Sequence, residues 1–348
     1  MLQTKQRVLR RFWYPFMPAT ALEDGPRPFT LLGTDIVLWR GEDGSLGCVR
    51  DRCCHRTTKL SRGFVEGQNI VCGYHGWCYS RSGQVVRIPQ LDRSTAPEGL
   101  CVPAYQATER HGFVWVALAE PLTEIPDPPE ATDPSFRKID EFHEVWHCAA
   151  IRFVENVFDR AHIAFTHRGS FGDANDPVPV QTDVIESEWG FEVSEIEQRV
   201  VNRHEADTAL RLGTSEAVRR QSGFWYMPFG RRLVLSYPTG LRRTLFSFAT
   251  PMTDDSCMVT QICYRNDTEA EVSAEAAIGF DRRIFTEDRE IVEATEFDVP
   301  LHPRAGEEAS MPSDKPGLQV RRKLRRLLEA HGESERRAPP ADLADAAD

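Results

Sequence analysis

Two pairs of cysteine and histidine residues in the first quarter of the chain have the spacing of metal ligands. Cys53 and His55 are followed, after sixteen intervening residues, by Cys72 and His75. Each pair lies in a turn after a predicted strand, so two loops can present two ligands apiece. Two thiolates and two imidazoles can hold either Zn²⁺ or a [2Fe–2S] cluster with two histidines on one iron. The spacing therefore predicts a metal centre and leaves both metals open.

The neighbours of these residues favour iron. Gly73 and Gly76 lie in the second loop, where they would let backbone amides approach bridging sulfides. Cys54 follows Cys53 directly, but only Cys53 keeps the C-x-H spacing to His55. Cys53 is therefore the predicted ligand, and Cys54 is predicted to be only its neighbour.

A second group of possible ligands follows in the middle of the chain, at Asn156, Asp159, His162 and His167. Two histidines and one carboxylate, with open positions beside them, form the ligand set of non-haem Fe(II) oxygenases. Residues three apart share one side of a helix, so a helix from Arg152 to about His167 would align Asp159 with His162. The five-residue step to His167 requires that helix to end or bulge before His167.

The missing carboxylate is sought on a helix predicted from Ala274 to Thr295. Its apolar face contains Phe280, Ile284 and Ile291, and Asp288 lies in the middle of that face. A carboxylate that faces a core is costly unless it is paired or bound to a metal, so Asp288 is the predicted third ligand. Glu287 points about a quarter turn away and is the weaker candidate. Asp281, on the rim of the face, is predicted to be a capping or surface acid.

The predicted elements indicate two domains. Short strands between turns predict an antiparallel β domain over residues 1–120, and a proline-rich linker follows at 121–135. Residues 136–332 predict a second domain of long antiparallel strands and helices, and the charged tail at 333–348 is predicted to be disordered. The strands predicted in the second domain are Glu141–His147, Val180–Glu188, Phe191–Val201, Phe224–Tyr226, Leu233–Tyr237, Thr244–Ala249 and Met258–Tyr264; a last helix is predicted from Pro316 to about His331.

Composition excludes some functional classes. The net charge of −11 argues against a nucleic-acid partner. The longest apolar run, Phe113–Ala119, is too short to cross a bilayer, so no membrane role is expected. Nine cysteines without an even framework fit metal ligation in a reducing compartment, which predicts a cytoplasmic protein.

Both ligand groups resemble motifs of one protein family. Cys53-x-His55-Arg56 with Cys72-x-Tyr74-His75-Gly76-Trp77 resembles the Rieske signature of ring-hydroxylating and related Rieske non-haem iron oxygenases. The family usually has proline where this chain has Cys54. Asp159-x-x-His162-x-x-x-x-His167 resembles the second motif of the same oxygenases, which often carry a Glu-Asp pair on the late helix, as at Glu287-Asp288.

The resemblance implies an α+β fold, with an all-β Rieske domain followed by a helix-grip domain. It implies a [2Fe–2S] cluster, a mononuclear Fe(II) and a head-to-tail homotrimer. In such a trimer Asp159 would link His162 to His75 of an adjacent chain. Asn156 is predicted to support this site or to bond only to backbone. Electrons from NAD(P)H would arrive through a separate reductase or ferredoxin, and O₂ would be the co-substrate.

The single compact chain resembles the monooxygenase and demethylase branch of the family. The predicted reaction is hydroxylation or O- or N-demethylation of an apolar, ring-containing small molecule. Desaturation, cyclisation and cis-dihydroxylation remain alternatives within the family. An electron-transfer protein without a catalytic iron, or a zinc-stabilised binding protein, is the alternative outside it. Aromatic residues of the predicted sheet could line a substrate pocket or belong to the core: Phe224, Trp225, Tyr226, Phe246, Phe248 and Tyr264.

Overall fold

The computed structural model describes residues 1–91, 98–201, 208–302 and 308–339. The chain forms two compact units, one of Arg7–Ile125 and one of the residues from Pro126 onward together with Met1–Gln6. The boundary between the two units, at Ile125 and Pro126, falls within residues 121–135, the segment predicted to be a linker. The linker itself stays a prediction. Of the predicted disordered tail, residues 333–339 are described, and the backbone N–H of Leu2 donates to the carbonyl of Arg336 (2.7 Å). The remaining tail, 340–348, lies outside the described residues.

The Arg7–Ile125 unit consists of short antiparallel strands in three sheets. The sheets have the strand orders β1-β10-β9, β2-β3-β4 and β5-β6-β7-β8. The strands are β1 (Tyr14–Pro18), β2 (Arg27–Leu31), β3 (Thr34–Arg40), β4 (Leu46–Arg50), β5 (Phe64–Glu66), β6 (Asn69–Val71), β7 (Cys78–Tyr79), β8 (Val85–Arg87), β9 (Gln106–Arg110) and β10 (Phe113–Ala117).

The core of this unit contains the two predicted thiolate ligands. Cys53 and Cys72 are buried in one apolar cluster with Trp39, Leu60 and Tyr79. Cys53 lies in the loop after β4, and Cys72 directly follows β6. The loops are therefore held at their base by core packing, while their tips are free to reach the surface.

The second unit is built on one seven-stranded antiparallel sheet of order β11-β17-β16-β15-β14-β13-β12. All seven strands predicted there are present, which confirms the α+β class with a large antiparallel sheet. Their bounds are β11 (Arg137–Trp146), β12 (Val184–Ser187), β13 (Gly190–Val201), β14 (Glu216–Tyr226), β15 (Gly230–Ser236), β16 (Arg242–Pro251) and β17 (Cys257–Arg265).

Four α-helices of this unit lie wholly within the described ranges: α1 (Ala150–Phe158), α2 (Ile163–Thr166), α3 (Ala274–Val292) and α4 (Lys315–Ala330). The side chain of Ser273 caps α3 by accepting from the N–H of Ala276 (3.1 Å). Helix α3 lies on the sheet, because the ring of Phe285 packs against Phe142 and Trp146 of β11. Over the described part of the chain, every helix is too short or too polar to span a membrane.

The single helix predicted from Arg152 to about His167 is wrong, because α1 already ends at Phe158. Asp159 has an extended backbone (φ −72°, ψ 145°), and its Oδ1 accepts from the N–H of Ala161 (2.7 Å). Aspartate side chains that bond nearby backbone in this way compete with helical hydrogen bonds. Asp159 and His162 are therefore not aligned on one helix, contrary to the prediction.

Candidate metal centres

The loops after β4 and β6 bring the four predicted Rieske ligands together. Cys53 and Cys72 are almost fully buried, whereas His55 and His75 are half-buried. The imidazole rings of His55 and His75 have centroids 4.6 Å apart, and His55 stacks on Trp77 at 4.5 Å. A buried thiol end and a partly exposed imidazole end suit a cluster that takes electrons from outside.

Three observations fit a [2Fe–2S] cluster at this position. Nδ1 of His55 is buried and has no hydrogen-bond partner among the described residues. Desolvation, His75 and Arg56 lower the pKa of His55, which favours the neutral imidazole that binds metals. Burial and the neighbouring Cys53 raise the pKa of the Cys72 thiol, so its thiolate needs a cation to stabilise it.

Glycines allow the two loops to approach each other. Gly76 has φ +71°, a conformation that side-chain-bearing residues rarely adopt. A Cβ atom at Gly73 would lie 2.8 Å from the carbonyl oxygen of Arg62. The second loop therefore requires glycine at both positions that the sequence singled out.

Tyr79 is a further group at this centre that the sequence analysis missed. Its hydroxyl lies 2.9 Å from Sγ of Cys53, and it accepts from the backbone N–H of Cys54 (3.1 Å). Cys54 itself is exposed, in keeping with its predicted role as a neighbour rather than a ligand. Hydrogen bonds to cluster sulfurs tune the reduction potential, so Tyr79 is placed to do this.

In the second unit, three predicted ligands converge on one point. Nε2 of His162 lies 3.2 Å from Nε2 of His167, and Oδ1 of Asp288 lies 3.3 Å from each of these nitrogens. Neighbouring ligand atoms around a metal with bonds of about 2.1 Å are separated by roughly 3 Å. The donor set and its spacing fit a 2-His-1-carboxylate iron site.

The ligand groups have partners that orient them. Nδ1 of His167 bonds to Oε2 of Glu287 (2.8 Å), which also accepts from the hydroxyl of Ser170 (2.9 Å). Nδ2 of Asn156 donates to Oδ1 of Asp288 (3.3 Å), so Asn156 contacts a ligand rather than only backbone. Glu287 thus orients the predicted ligand His167 through Nδ1, the ring nitrogen that does not face Asp288. Such a contact is usual for metal-bound histidines.

Asp159 lies on the other side of His162. Its Oδ2 is 3.4 Å from Nδ1 of His162, without the geometry of a full hydrogen bond. Burial lowers the pKa of His162, but Asp159 and Asp288 outweigh it and raise the pKa to about 9. Burial likewise opposes ionisation of Asp288, yet the two histidines hold its pKa well below the usual value. Metal binding at His162 would therefore require the release of a proton.

A cavity opens beside the three converging atoms. It lies between the helices and the inward face of the sheet. Apolar walls come from Phe158, Leu233, Leu245, Phe280 and Ile284. None of the sheet aromatics named as pocket candidates contributes to this lining, so they belong to the packing of the domain.

Asp281 is not the surface acid that the sequence predicted. It is 2% exposed and forms a buried ion pair with Arg243 of β16. Sequence reasoning also missed Arg231 of β15, which lines the same cavity. The sequence does indicate the orientation of these arginines. Arg231 in β15 and Arg243 in β16 each alternate with leucines that face inward.

Two family models match this chain. The model of the Rieske [2Fe-2S] domain matches residues 12–106, and that of the vanillate O-demethylase oxygenase C-terminal domain matches residues 146–330. The second match covers more than half of the chain.

Relatives and solved structures extend along nearly the whole chain. Methylxanthine N1-demethylase NdmA from Pseudomonas putida is 30% identical over 345 residues, which are 96% of this chain and 93% of the relative. The structure of Pseudomonas putida NdmA with caffeine has a TM-score of 0.82 at 28% identity, covering 95% and 94% of the two chains. Dicamba monooxygenase bound to 3,6-dichlorosalicylic acid has a TM-score of 0.79 at 22% identity, covering 93% and 98%, which is a likeness of fold.

Proposed function

Because this chain belongs to the Rieske non-haem iron oxygenases, we propose that it is a monooxygenase that removes a methyl group from nitrogen or oxygen of a small molecule. The family itself and the monooxygenase class, both predicted from the two motifs, are confirmed by the family matches and the full-length relative. The single observation that carries the proposal is the convergence of His162, His167 and Asp288 beside the cavity.

His162, His167 and Asp288 would hold the mononuclear iron. When bound, Fe(II) supplies open coordination positions at which O₂ can be reduced next to the substrate. Glu287 accepts a hydrogen bond from the N–H at Nδ1 of His167. The proton stays on Nδ1, so Nε2 of that ring has a free lone pair for the metal. Asn156 holds the Asp288 carboxylate in place by donating to Oδ1.

The reaction balances with two electrons from outside. A methyl group, O₂, two electrons and two protons give a hydroxymethyl group and one water. The hydroxymethyl group on nitrogen or oxygen then breaks its bond to that atom, which takes the proton, and formaldehyde leaves. Two relatives that match along 90% or more of this chain are named as demethylases of methylxanthines, which supports this outcome over desaturation, cyclisation or dihydroxylation.

Electron supply completes the proposal. Cys53, His55, Cys72 and His75 would hold the [2Fe–2S] cluster, which a separate NAD(P)H-dependent reductase or ferredoxin reduces in the cytoplasm. We expect a homotrimer in which Asp159 connects His162 to His75 of a neighbouring copy. The side chain of Asp159 supports this role because it remains about one-third exposed while it lies against His162.

Metal analysis and product detection test the proposal together. The anaerobically purified protein should contain three irons and two sulfides per chain, with a Rieske-type EPR signal after reduction. With a surrogate reductase it should release formaldehyde from some members of a panel of N-methyl and O-methyl compounds. His162→Ala should retain the cluster signal, lose one iron and release no formaldehyde. A variant that keeps all three irons would contradict the assigned site, and dihydroxylated products without formaldehyde would contradict demethylation.

A further inference from the structure

The inward face of the sheet gives the cavity a cationic floor. Arg231 of β15 and Arg243 of β16 are 5% and 1% exposed, and both line the cavity. Cross-strand register puts them on one face, because Arg231 is opposite Ser247 and Arg243 is opposite Leu235. The whole lining contains four guanidinium groups and three carboxylates, a balance of +1: Arg160, Arg219, Arg231 and Arg243 against Asp159, Asp281 and Asp288.

Arg231 is a buried cation that forms no ion pair among the described residues. Among the described residues it bonds only to a backbone carbonyl, from Nη1 to Val157 (3.3 Å), and its Nε has no partner. Arg243, in contrast, is paired with Asp281, although its Nε and Nη1 are also without partners. The hydroxyl of Tyr237, another lining residue, is buried and unpartnered as well.

An unpaired buried guanidinium is unfavourable for the fold by itself. Burial lowers the pKa of Arg231 to about 10, while the more distant charges of Asp288 and Asp281 partly oppose that shift. The group therefore stays charged at neutral pH, and the free energy of its desolvation is not recovered by a protein partner. A negatively charged ligand in the cavity would supply the missing partner.

The rest of the lining sets the shape of such a ligand. Phe158, Leu233, Leu245 and Phe280 provide apolar surface in the same cavity. A molecule that fits all of these groups has an apolar body and one anionic end.

We propose that the cavity binds a small organic acid whose carboxylate is received by Arg231, with Arg243 and Tyr237 as additional donors. This assignment rests on the proposed function, since it takes the cavity beside the triad to be the substrate site. The expected substrate, so far an apolar ring compound, is thereby narrowed to a compound that also carries a carboxylate. Arginine suits this role because its fork of N–H groups matches the two oxygens of a carboxylate.

Binding without turnover tests the proposal. The iron-loaded protein is titrated anaerobically and without reductant, by calorimetry, with acids and their primary amides. The pairs are benzoate, para-methoxybenzoate, para-dimethylaminobenzoate and cyclohexanecarboxylate, each against its own amide. Charge-assisted hydrogen bonds should make at least one acid bind about tenfold more tightly than its amide.

Three variants assign that preference to Arg231. Arg231→Gln should remove the preference, and Arg231→Lys should retain part of it because the charge remains. Arg220→Gln is the matched control: it removes one positive charge from β14, the neighbouring strand of the same sheet, where Arg220 is exposed. Its acid-to-amide ratio should equal that of the wild type. Arg231→Gln should also unfold at a temperature no lower than the wild type, because it removes an unpaired buried charge.

The possible outcomes separate this proposal from the proposed function. Equal binding of acids and amides, no binding by any acid, or an unchanged ratio in Arg231→Gln would overturn it. A large drop in unfolding temperature of Arg231→Gln would likewise overturn it, since Arg231 would then be a structural residue. Acid binding through Arg231 with no formaldehyde from any methylated acid would uphold it and contradict demethylation.

Discussion

The helix side and the sheet side of the cavity differ in how their polar groups are satisfied. On the helix side, His167 is bonded to Glu287 and Asp288 accepts from Asn156, although Nδ1 of His162 and Oδ1 of Asn156 have no partner among the described residues. On the sheet side, the Nε atoms of Arg231 and Arg243 are buried without partners. The two groups predicted to hold an ion, His167 and Asp288, are thus oriented by neighbouring side chains, whereas the sheet side keeps open donors that an exchangeable ligand could fill. The two sides therefore indicate separate tasks within one cavity.

The largest expected effect comes from breaking the buried ion pair of Asp281 with Arg243, which joins the two sides. Asp281→Asn leaves Arg243 buried beside a neutral amide, because Asp281 is its paired carboxylate. The free energy of unfolding should fall by about 3–5 kcal/mol, as measured by urea denaturation. Glu195→Gln, at the exposed pair with Arg220, is the control and should change stability by less than about 1 kcal/mol. A similar small change in Asp281→Asn would mean that the sheet side tolerates unpaired cations generally.

A smaller effect is expected from loosening an orienting contact on the helix side. Glu287→Gln removes the carboxylate that accepts from Nδ1 of His167. Iron affinity should fall about 10- to 100-fold, because outer partners of metal-bound histidines contribute that much. Equilibrium dialysis of Fe(II) under anaerobic conditions measures it. Glu290→Gln, exposed on the same helix, should leave the affinity unchanged. Equal affinities in both variants would show that His167 does not depend on its neighbour.

The last effect depends on pH and concerns a buried acid of β11, Glu141. Burial raises the pKa of Glu141 well above 4.5, and the negative charge of Asp281 raises it further. The folded state then keeps a proton that the unfolded chain releases, so this group's contribution to stability falls as pH rises above 4.5. Glu141→Gln removes that dependence while it retains a partner for Gln261, which donates to Glu141 (2.6 Å).

The variant and the wild type should therefore be equally stable below pH 4.5. Above pH 4.5, the free energy of unfolding of the variant should rise relative to that of the wild type by at most about 1.4 kcal/mol for each pH unit. This rise should stop when the pH reaches the pKa of Glu141 in the folded protein. Denaturation curves at several pH values between 4 and 7 provide the measurement. A constant difference at every pH would mean that Glu141 is ionised in the folded protein.

The parts of the molecule that could be predicted from sequence are those with local patterns. Cys53, His55, Cys72 and His75 lie in two short motifs, and the first half of β13 alternates apolar and polar residues. Strand ends were less predictable. Strand β14 starts at Glu216 rather than near Phe224, because its first half is polar and pairs with the polar half of β13.

The features that could not be predicted depend mostly on contacts between residues far apart in the sequence. The pairing of Asp281 with Arg243 joins residues from a helix and a strand, and nothing adjacent in sequence signals it. The end of α1 depends on one side-chain contact, from Asp159 to the N–H of Ala161, which a helical pattern does not reveal. Asp288 could be found only because a carboxylate on an apolar helix face requires a partner.

The buried charge of Arg231 also has a kinetic consequence. Removal of a methyl group leaves the carboxylate of an organic acid unchanged, so the product would present the same anion to Arg231 as the substrate did. Such an anchor gives little discrimination between the two molecules, and the loss of one methyl contributes only a modest difference in apolar contact. Product would therefore compete with substrate for the cavity, and turnover would slow as product accumulates.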